Sequence, residues 1–497
     1  MILSRFPSKS EFLEASEKGN VIPVCVEILA DTETPVSVLL KNKNAQGPVF
    51  LLESVEGAER WARYSFLGVG CRAGLSVFGD RVEIKEKGET RSIPHRGDPL
   101  SVLRGFMAEF KPVALNGLPR FWGGLVGYFS YETVSFFERI ENKLPETEPL
   151  ARFVLTDALF VFDNQRHTLT LVAHAFTGNG AGPEKAYEDA IKRLDEMQES
   201  LKTPLEEPLT PIERVGGVSP KNPVGSYQEK VKKVKDYIMA GDIIQAVIAQ
   251  PFTASPAVDP ESLYRAQRYI NPSPYMFFFK FDDLALVGSS PETMVRLENG
   301  TATLRPIAGT RKRGKNQQED RSLADELLKD PKERAEHLML VDLGRNDLGR
   351  VAETGTVQVT DLMFVERYSH VMHLVSNISC DLLKDYDGWD LFRATFPAGT
   401  LSGAPKVRAM EIIAELEDEA RGPYGGAVGY VSFTGNMDFA ITIRTASIAG
   451  GVLTVKAGAG IVADSDPESE HVETVNKAKS IQRAVELVNG SSRDGKE

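Results

Sequence analysis

The spacing of apolar residues changes along the chain, and those changes mark its elements. In the first part, short β-rich runs at Val36–Leu40, Val49–Leu52, Phe153–Phe162 and Leu169–Ala173 alternate with turns and predict strands. Over Glu184–Leu201 the period lengthens, placing Tyr187, Ile191, Leu194 and Leu201 on one helix face. Lys202–Gly225 then interrupts the pattern with Pro204, Pro208, Pro211, Pro220 and Pro223. This divides the chain into 1–202, a linker over 203–225, and 226–497.

The second part opens on a predicted helix. Ser226 and Glu229 fit a capping box, Tyr227, Val231, Val234 and Ile238 form its apolar stripe, and Gly241 ends it. A strand is expected over Ile243–Ala249. Gly429–Phe433, Asp438–Ser447 and Val452–Ala457, joined by short Gly and Asn turns, read as an antiparallel meander. Strands and helices do not alternate strictly, so the fold class is α+β rather than a doubly wound parallel sheet.

Composition narrows the classes of function. At 497 residues, 42% apolar and 26% charged, the chain is long enough for two or three domains with substantial cores. A net charge of −12 argues against nucleic acid or an anionic membrane as the main partner. Cys25, Cys71 and Cys380 are scattered, with no disulfide framework or zinc spacing. The N-terminus lacks the apolar run of a signal peptide and no long apolar span follows, so a reduced, cytoplasmic protein without membrane contact is expected.

Two predicted helices open alike, at Asp330-Pro331 and at Asp466-Pro467. Aspartate suits the N-cap, and proline the first helical position, where its missing N–H would be unsatisfied anyway. Glu333 and Glu336 then share one helix face, as do Glu470 and Glu473. Glu333, the N3 residue of its helix, is accounted for by capping and the helix dipole, and Glu468, in the first turn of the second helix, likewise; Glu336, Glu470 and Glu473 lie deeper. Each alone reads as a surface carboxylate. Four brought together would need a cation, and oxygen ligands suit Mg²⁺.

Other segments leave alternatives open. Gly458-Ala459-Gly460 superficially matches a dinucleotide fingerprint, but Asp464–Pro467 falls where the helix should already be running. Its backbone could approach an anion, or form only a tight turn. Phe396–Lys406 precedes a helix through Glu417 and suits either a carboxylate cradle or simple capping. His373 lies in the strand-like run Tyr368–Ser376, where a core histidine is the ordinary reading. Arg444 should share a strand face with Ala440 and Thr442, and needs an anion there, either an internal acid or a ligand carboxylate.

Taken together, the stretches PIAGTRKRG (Pro306–Gly314), ERAEHLMLVDLGRNDLGRV (Glu333–Val351), FPAGTLSGAPK, YGGAVGY (Tyr424–Tyr430), DFAITIRTA (Asp438–Ala446) and GAGIVADSDPESE closely resemble the chorismate-utilising enzymes, specifically the large subunits of anthranilate synthases. They span most of residues 226–482 in that family's order. Leu51–Ser54 and Arg63–Gly68 resemble its N-terminal regulatory half. The resemblance implies large antiparallel β-sheets packed face to face, with helices outside. It implies a catalytic, chorismate-binding 226–497 and a regulatory, tryptophan-binding 1–202. Glu336 and Glu473 would hold Mg²⁺ directly, supported by Glu333 and Glu470. Gly309, Thr310, Tyr424, Arg444 and the Gly458–Ala459–Gly460 backbone would bind chorismate, with Thr400, His373 and Lys477 bordering the pocket.

Two positions narrow the chemistry within that resemblance. Water-using relatives carry an activating lysine where this chain has Gln245. Aminodeoxychorismate synthases typically carry a nucleophilic lysine where it has Ala308, and alanine cannot be a nucleophile. Ammonia from outside is therefore expected. No glutamine amidotransferase domain follows Glu497, so glutamine-derived ammonia implies a partner amidotransferase subunit. Glu292 is the candidate acid for a departing ring hydroxyl, and His373 for orienting or assisting the second half of the reaction. An aminodeoxychorismate synthase component, or a relative that binds metabolites without catalysis, is the alternative.

In the resembling family the Leu51–Ser54 and Asn271–Met276 segments form a tryptophan pocket. Glu53 or Ser54 could meet the ligand's polar groups, while Pro274, Tyr275 and Met276 offer apolar surface to an indole. A core strand and a proline-rich turn are the plainer alternative.

Overall fold

The computed structural model describes residues 1–55, 63–178, 182–205, 216–368 and 371–490. Among these, the apolar runs assemble into two large sheets of 13 and 12 strands built from antiparallel ladders. Both draw strands from either side of residues 203–225. In the first sheet Val49–Glu53 pairs with Tyr275–Lys280, with Glu53 opposite Met276 and Leu52 opposite Phe277. In the second, Gly124–Phe129 pairs with Ala427–Ser432. Of the predicted linker, 206–215 lie outside the described residues; Ser219–Pro220 pairs with the edge of Gln245–Ala254.

Alternation along the strands explains how the sheets stack. In Tyr275–Lys280, Phe277 and Phe279 face the second sheet and pack with Val126, Tyr128, Val428 and Tyr430. Met276 and Phe278 face the other way, into a core with Tyr264 and Leu263 of the Pro260–Ile270 helix. A sheet covered on both faces reads as a continuous apolar run, as this strand does. The helices thus lie outside a face-to-face pair of sheets, the α+β arrangement expected. No helix among the described residues is long and apolar enough to cross a membrane.

Several local expectations are corrected. Val36–Leu40 is part of a helix, Pro35–Lys41. Thr34 and Ser37 cap it reciprocally, Ser37 N donating to Thr34 Oγ1 and Thr34 N to Ser37 Oγ. With Pro35 preset for the first turn, this outweighs the β-preference of the two valines. Phe153–Phe162 is two strands, Ala151–Leu155 and Ala158–Asp163, in different sheets. Asp438–Ser447 likewise breaks into Met437–Ile441 in the second sheet and Thr445–Ala449 in the first. The expected meander is therefore two hairpins in separate sheets. Arg444 lies at the crossover, with φ 51°, and not on a strand face with Ala440.

The predicted 184–201 helix forms as Pro183–Leu201, its deepest side chains being Ala186, Ala190, Leu194 and Met197. Ser226–Ala240 ends at Gly241 as expected, but its capping box does not form. Gly225 is the N-cap, and Ser226 Oγ donates instead to Pro223 O at 2.8 Å. The next strand runs later than predicted, over Gln245–Ala254.

Candidate active site

Strand crossovers between the sheets place two charged residues at one opening. Glu292 follows Pro291 where Ala285–Ser290 of the first sheet hands over to Thr293–Glu298 of the second. Arg444 marks the return crossing. Around them is a cavity of about 1760 Å³, counting the open solvent at its mouth. Gln245, Glu292, Gly309, Thr310, Thr400, Tyr424, Arg444, Gly458, Gly460 and Lys477 line it, together with Glu333, Glu336, Glu470 and Glu473. Ala459 and His373 are not on its wall; Ala459 points into the core behind it.

The two acidic helices start as their sequences predict. Asp330 accepts from the Lys332 and Glu333 amides, and Asp466 from the Ser469 amide, each ahead of a proline at the first turn. Glu333 is neutralised by Arg311 at 3.0 Å. Glu473 pairs with Lys477 at 2.7 Å, one turn along the same helix, and Lys477 also donates to Gly458 O at 2.8 Å. Glu336 has no ion pair among the described residues. Burial, then the negative charge of Glu333, raises its carboxyl above the ordinary range, with Glu473 adding to the effect. Burial and Glu473 likewise raise Glu470. Among the described residues, no group of three or more acidic, imidazole or thiol side chains is placed to hold a metal ion.

Glu292 is the most perturbed of the cavity's acids. Burial pushes its carboxyl up to about 8, against the opposing hydrogen bond from Thr400 Oγ1 at 3.1 Å and the charge of Lys477. It is therefore a protonated acid at neutral pH. Arg444 is the complementary group. Its guanidinium has no hydrogen bond or ion pair among the described residues, and burial depresses its pKa while Tyr424 and Glu473 oppose the shift. A half-buried, unpaired guanidinium facing a cavity is a seat for a ligand carboxylate.

Backbone geometry brings the walls close. Gly309 occupies a bulge in the Ile307–Lys312 strand with φ 65°, a conformation that suits glycine. His373 Nδ1 lies 2.9 Å from Gly309 O and 3.1 Å from Thr310 Oγ1. A carbonyl can only accept, so Nδ1 carries the proton. Burial lowers the His373 pKa, leaving the ring neutral, and its contacts orient the bulge from behind. A Cβ on Gly460 would stand 2.4 Å from Gln245 Nε2, so that glycine leaves room for the amide.

Sequence reasoning misses two supports. Arg311 joins Glu333 to Asp330 at 2.9 Å and Glu326 at 3.1 Å; the basic run after Gly309 was its only sign. Arg421 is buried, donating to Leu401 O at 2.6 Å, Val247 O at 2.7 Å and Glu417 at 2.6 Å, and so ties the Thr400 turn to the Gln245 strand. The signal available was an i,i+4 acid–base pair. Lys406 turns out of the expected cradle, pairing with Asp347 at 2.6 Å. Its helix, Lys406–Leu416, has no side-chain cap.

A second cavity, of about 570 Å³ counting the open solvent at its mouth, lies between the sheets, and Glu53, Ser54, Pro274, Tyr275 and Met276 all line it. Arg120, Arg296 and Asp438 border it too, with Asp438 paired to Arg296 at 2.6 Å and Arg120 at 3.0 Å. Glu53 is already occupied: Tyr264 donates to it at 2.9 Å and Arg268 donates twice at 2.8 Å. Ser54 Oγ, by contrast, is buried without a hydrogen-bond partner among the described residues.

A family model described as chorismate binding enzyme matches residues 48–483. The chain belongs to that family. It is 48% identical to anthranilate synthase component 1 of Aquifex aeolicus over 98% of this chain and 99% of the relative. It is 47% identical to the component 1 of Pseudomonas aeruginosa over 97% and 99%. The fold is similar to the crystal structure of anthranilate synthase component I from Streptococcus pneumoniae, with TM-score 0.76 and 37% identity over 86% of this chain and 93% of that one. The menaquinone-specific isochorismate synthase of Escherichia coli shares the fold, with TM-score 0.70 at 20% identity over 96% and 99%.

Proposed function

We propose that this chain is the large component of an anthranilate synthase, converting chorismate and ammonia to anthranilate and pyruvate. The observation that carries the reading is one cavity holding a buried carboxyl, Glu292, an unpaired guanidinium, Arg444, and two glutamate pairs. Ala308 and Gln245 line the same cavity, at the positions where lysines mark the other chemistries of the resembling enzymes.

Arg444 takes a substrate carboxylate, and the Gly458–Gly460 backbone lies close against it. The nitrogen of ammonia bonds to a ring carbon while the ring C–O bond to the hydroxyl breaks. Glu292 gives its proton to that hydroxyl, which leaves as water, and Thr400 holds the carboxyl in place. Loss of a ring proton and of the enolpyruvyl group as pyruvate restores aromaticity. His373 contributes by fixing Gly309 and Thr310.

The donor chemistry fits Mg²⁺, which favours one or two carboxylates supplemented by water and substrate oxygens over a closed protein cage. Glu336 and Glu473 would hold it and Glu333 and Glu470 support it; raised carboxyls crowded by like charges are what a cation relieves. When bound it would neutralise the substrate's ring carboxylate.

On the same reading residues 1–202 are regulatory and 226–497 catalytic, in a cytoplasmic enzyme. A partner amidotransferase subunit supplies ammonia from glutamine. Tryptophan occupies the second cavity and inhibits; the unpartnered Ser54 hydroxyl and the apolar faces of Pro274, Tyr275 and Met276 support this. The test is product identification: purified chain with chorismate, Mg²⁺ and ammonium should give anthranilate fluorescence. A 4-aminobenzoate precursor or salicylate as main product overturns the reading.

A further inference from the structure

The Pro260–Ile270 helix touches both cavities' walls through one face. Tyr264, Gln267 and Arg268 are spaced i, i+3 and i+4, so they lie on one side of it. Tyr264 and Arg268 hold the Glu53 carboxylate of the second cavity. Gln267, with no exposed surface, donates from Nε2 to Arg444 O at 2.7 Å. The Ser289 amide gives that carbonyl a second hydrogen bond at 3.2 Å. Gln267 Oε1 has no partner among the described residues, so the donor bond is what fixes the side chain.

Arg444 is a non-glycine residue in the left-handed region, at a crossover with no strand pairing of its own. Its conformation depends on what grips its carbonyl, and the direction of its guanidinium follows from that conformation. That conformation is uncommon for a residue that carries a β-carbon.

We propose that Gln267 is a positioning residue for Arg444, and that the Pro260–Ile270 helix transmits occupancy of the second cavity to the substrate cavity through it. The proposal rests on the function given above and names the structural route of its regulation. A ligand that moves Glu53 pulls on Tyr264 and Arg268; because the helix is stiff, Gln267 moves with them and Arg444 loses its aim. Gln267→Met removes the donor at nearly constant volume. The KM for chorismate should rise about tenfold, the size of one lost hydrogen bond, with kcat changed far less. Tryptophan should still bind by calorimetry, while the concentration that half-inhibits, at matched saturation with chorismate, rises several-fold.

Tyr264→Phe loosens the other end of the helix, and should weaken inhibition without the rise in KM. Should Gln267→Met fail to fold, Gln267→Leu also lacks the donor, in a shorter apolar side chain, and carries the same expectation. A wild-type chain that makes anthranilate and is inhibited by tryptophan, with variants matching it in KM and inhibition, overturns the route alone. A wild-type chain that makes no anthranilate overturns the proposed function and the route together.

Discussion

Thr400 Oγ1 stands 3.1 Å from Glu292 Oε1, and that hydrogen bond opposes the burial that keeps Glu292 protonated. Folded, the carboxyl holds its proton to about pH 8; its ordinary value is 4.5. The rate per unit of free ammonia should therefore fall as pH rises through about 8. Thr400→Val should move that fall to higher pH, and Glu292→Gln should lower kcat by about 10²–10⁴-fold. Between pH 4.5 and 8 the folded chain binds more protons here than the unfolded one, so this group's contribution to stability declines across that window. Glu292→Gln should remove that part of the decline in denaturant titrations.

Glu336 and Glu333 differ in their surroundings despite sharing a helix face. Arg311 already neutralises Glu333, whereas Glu336 has no cation of its own. Glu336→Gln should abolish Mg²⁺-dependent turnover and weaken Mg²⁺ binding in calorimetry, with the thermal midpoint unchanged or higher. Glu333→Gln should do less on each count. Equal losses from the two would show that the pair ligates symmetrically.

Gly460→Ala probes the approach of Gln245. The added methyl meets only the end of a flexible side chain, so the stability cost should be small, about 1 kcal/mol or less. The amide must swing away from the cavity, and kcat/KM should drop about tenfold, a loss of about 1.4 kcal/mol in transition-state binding. An enzyme with unchanged kinetics would mean that Gln245 does not meet the substrate.

Ser54→Phe should fill the second cavity. Tryptophan inhibition should disappear while uninhibited turnover is largely retained, because Ser54 does not line the substrate cavity. Calorimetry that finds no tryptophan binding to the wild-type chain would sink this expectation whatever the variant does.

Arg421→Met leaves Glu417 buried without its cation and two carbonyls without their donor. Breaking such a pair costs about 3–5 kcal/mol, which denaturant midpoints should register. Replacement of both partners by apolar residues should recover part of the loss.

Some of the local chemistry is legible in the sequence alone. Asp330 and Asp466 cap the helices they were expected to cap, since an N-cap depends on its own next three residues. The Val49–Leu52 run and the Tyr275–Met276 segment were legible as neighbours only through the family resemblance. Hydrogen bonding between distant strands leaves no mark in either. Arg444 shows the same boundary: the apolar alternation of Asp438–Ser447 continues unbroken through a point where the chain changes sheet. Both sheets want β-formers, so nothing in the pattern announces the crossing. The Val36–Leu40 helix was hidden because two valines outvoted a cap formed by Thr34 and Ser37.

The ladder between Val49–Glu53 and Tyr275–Lys280 also orders events during synthesis. A chain emerging from the ribosome exposes Val49–Glu53, and later Gly124–Phe129, long before Tyr275–Lys280 and Ala427–Ser432 exist to cover them. Those edges are apolar on both faces, which makes them templates for the wrong partner in the interval. The first half cannot bank its folding early, as an autonomous N-terminal domain would. Completion of the sheets waits on contacts far apart in sequence, so folding should be slow and sensitive to chain concentration.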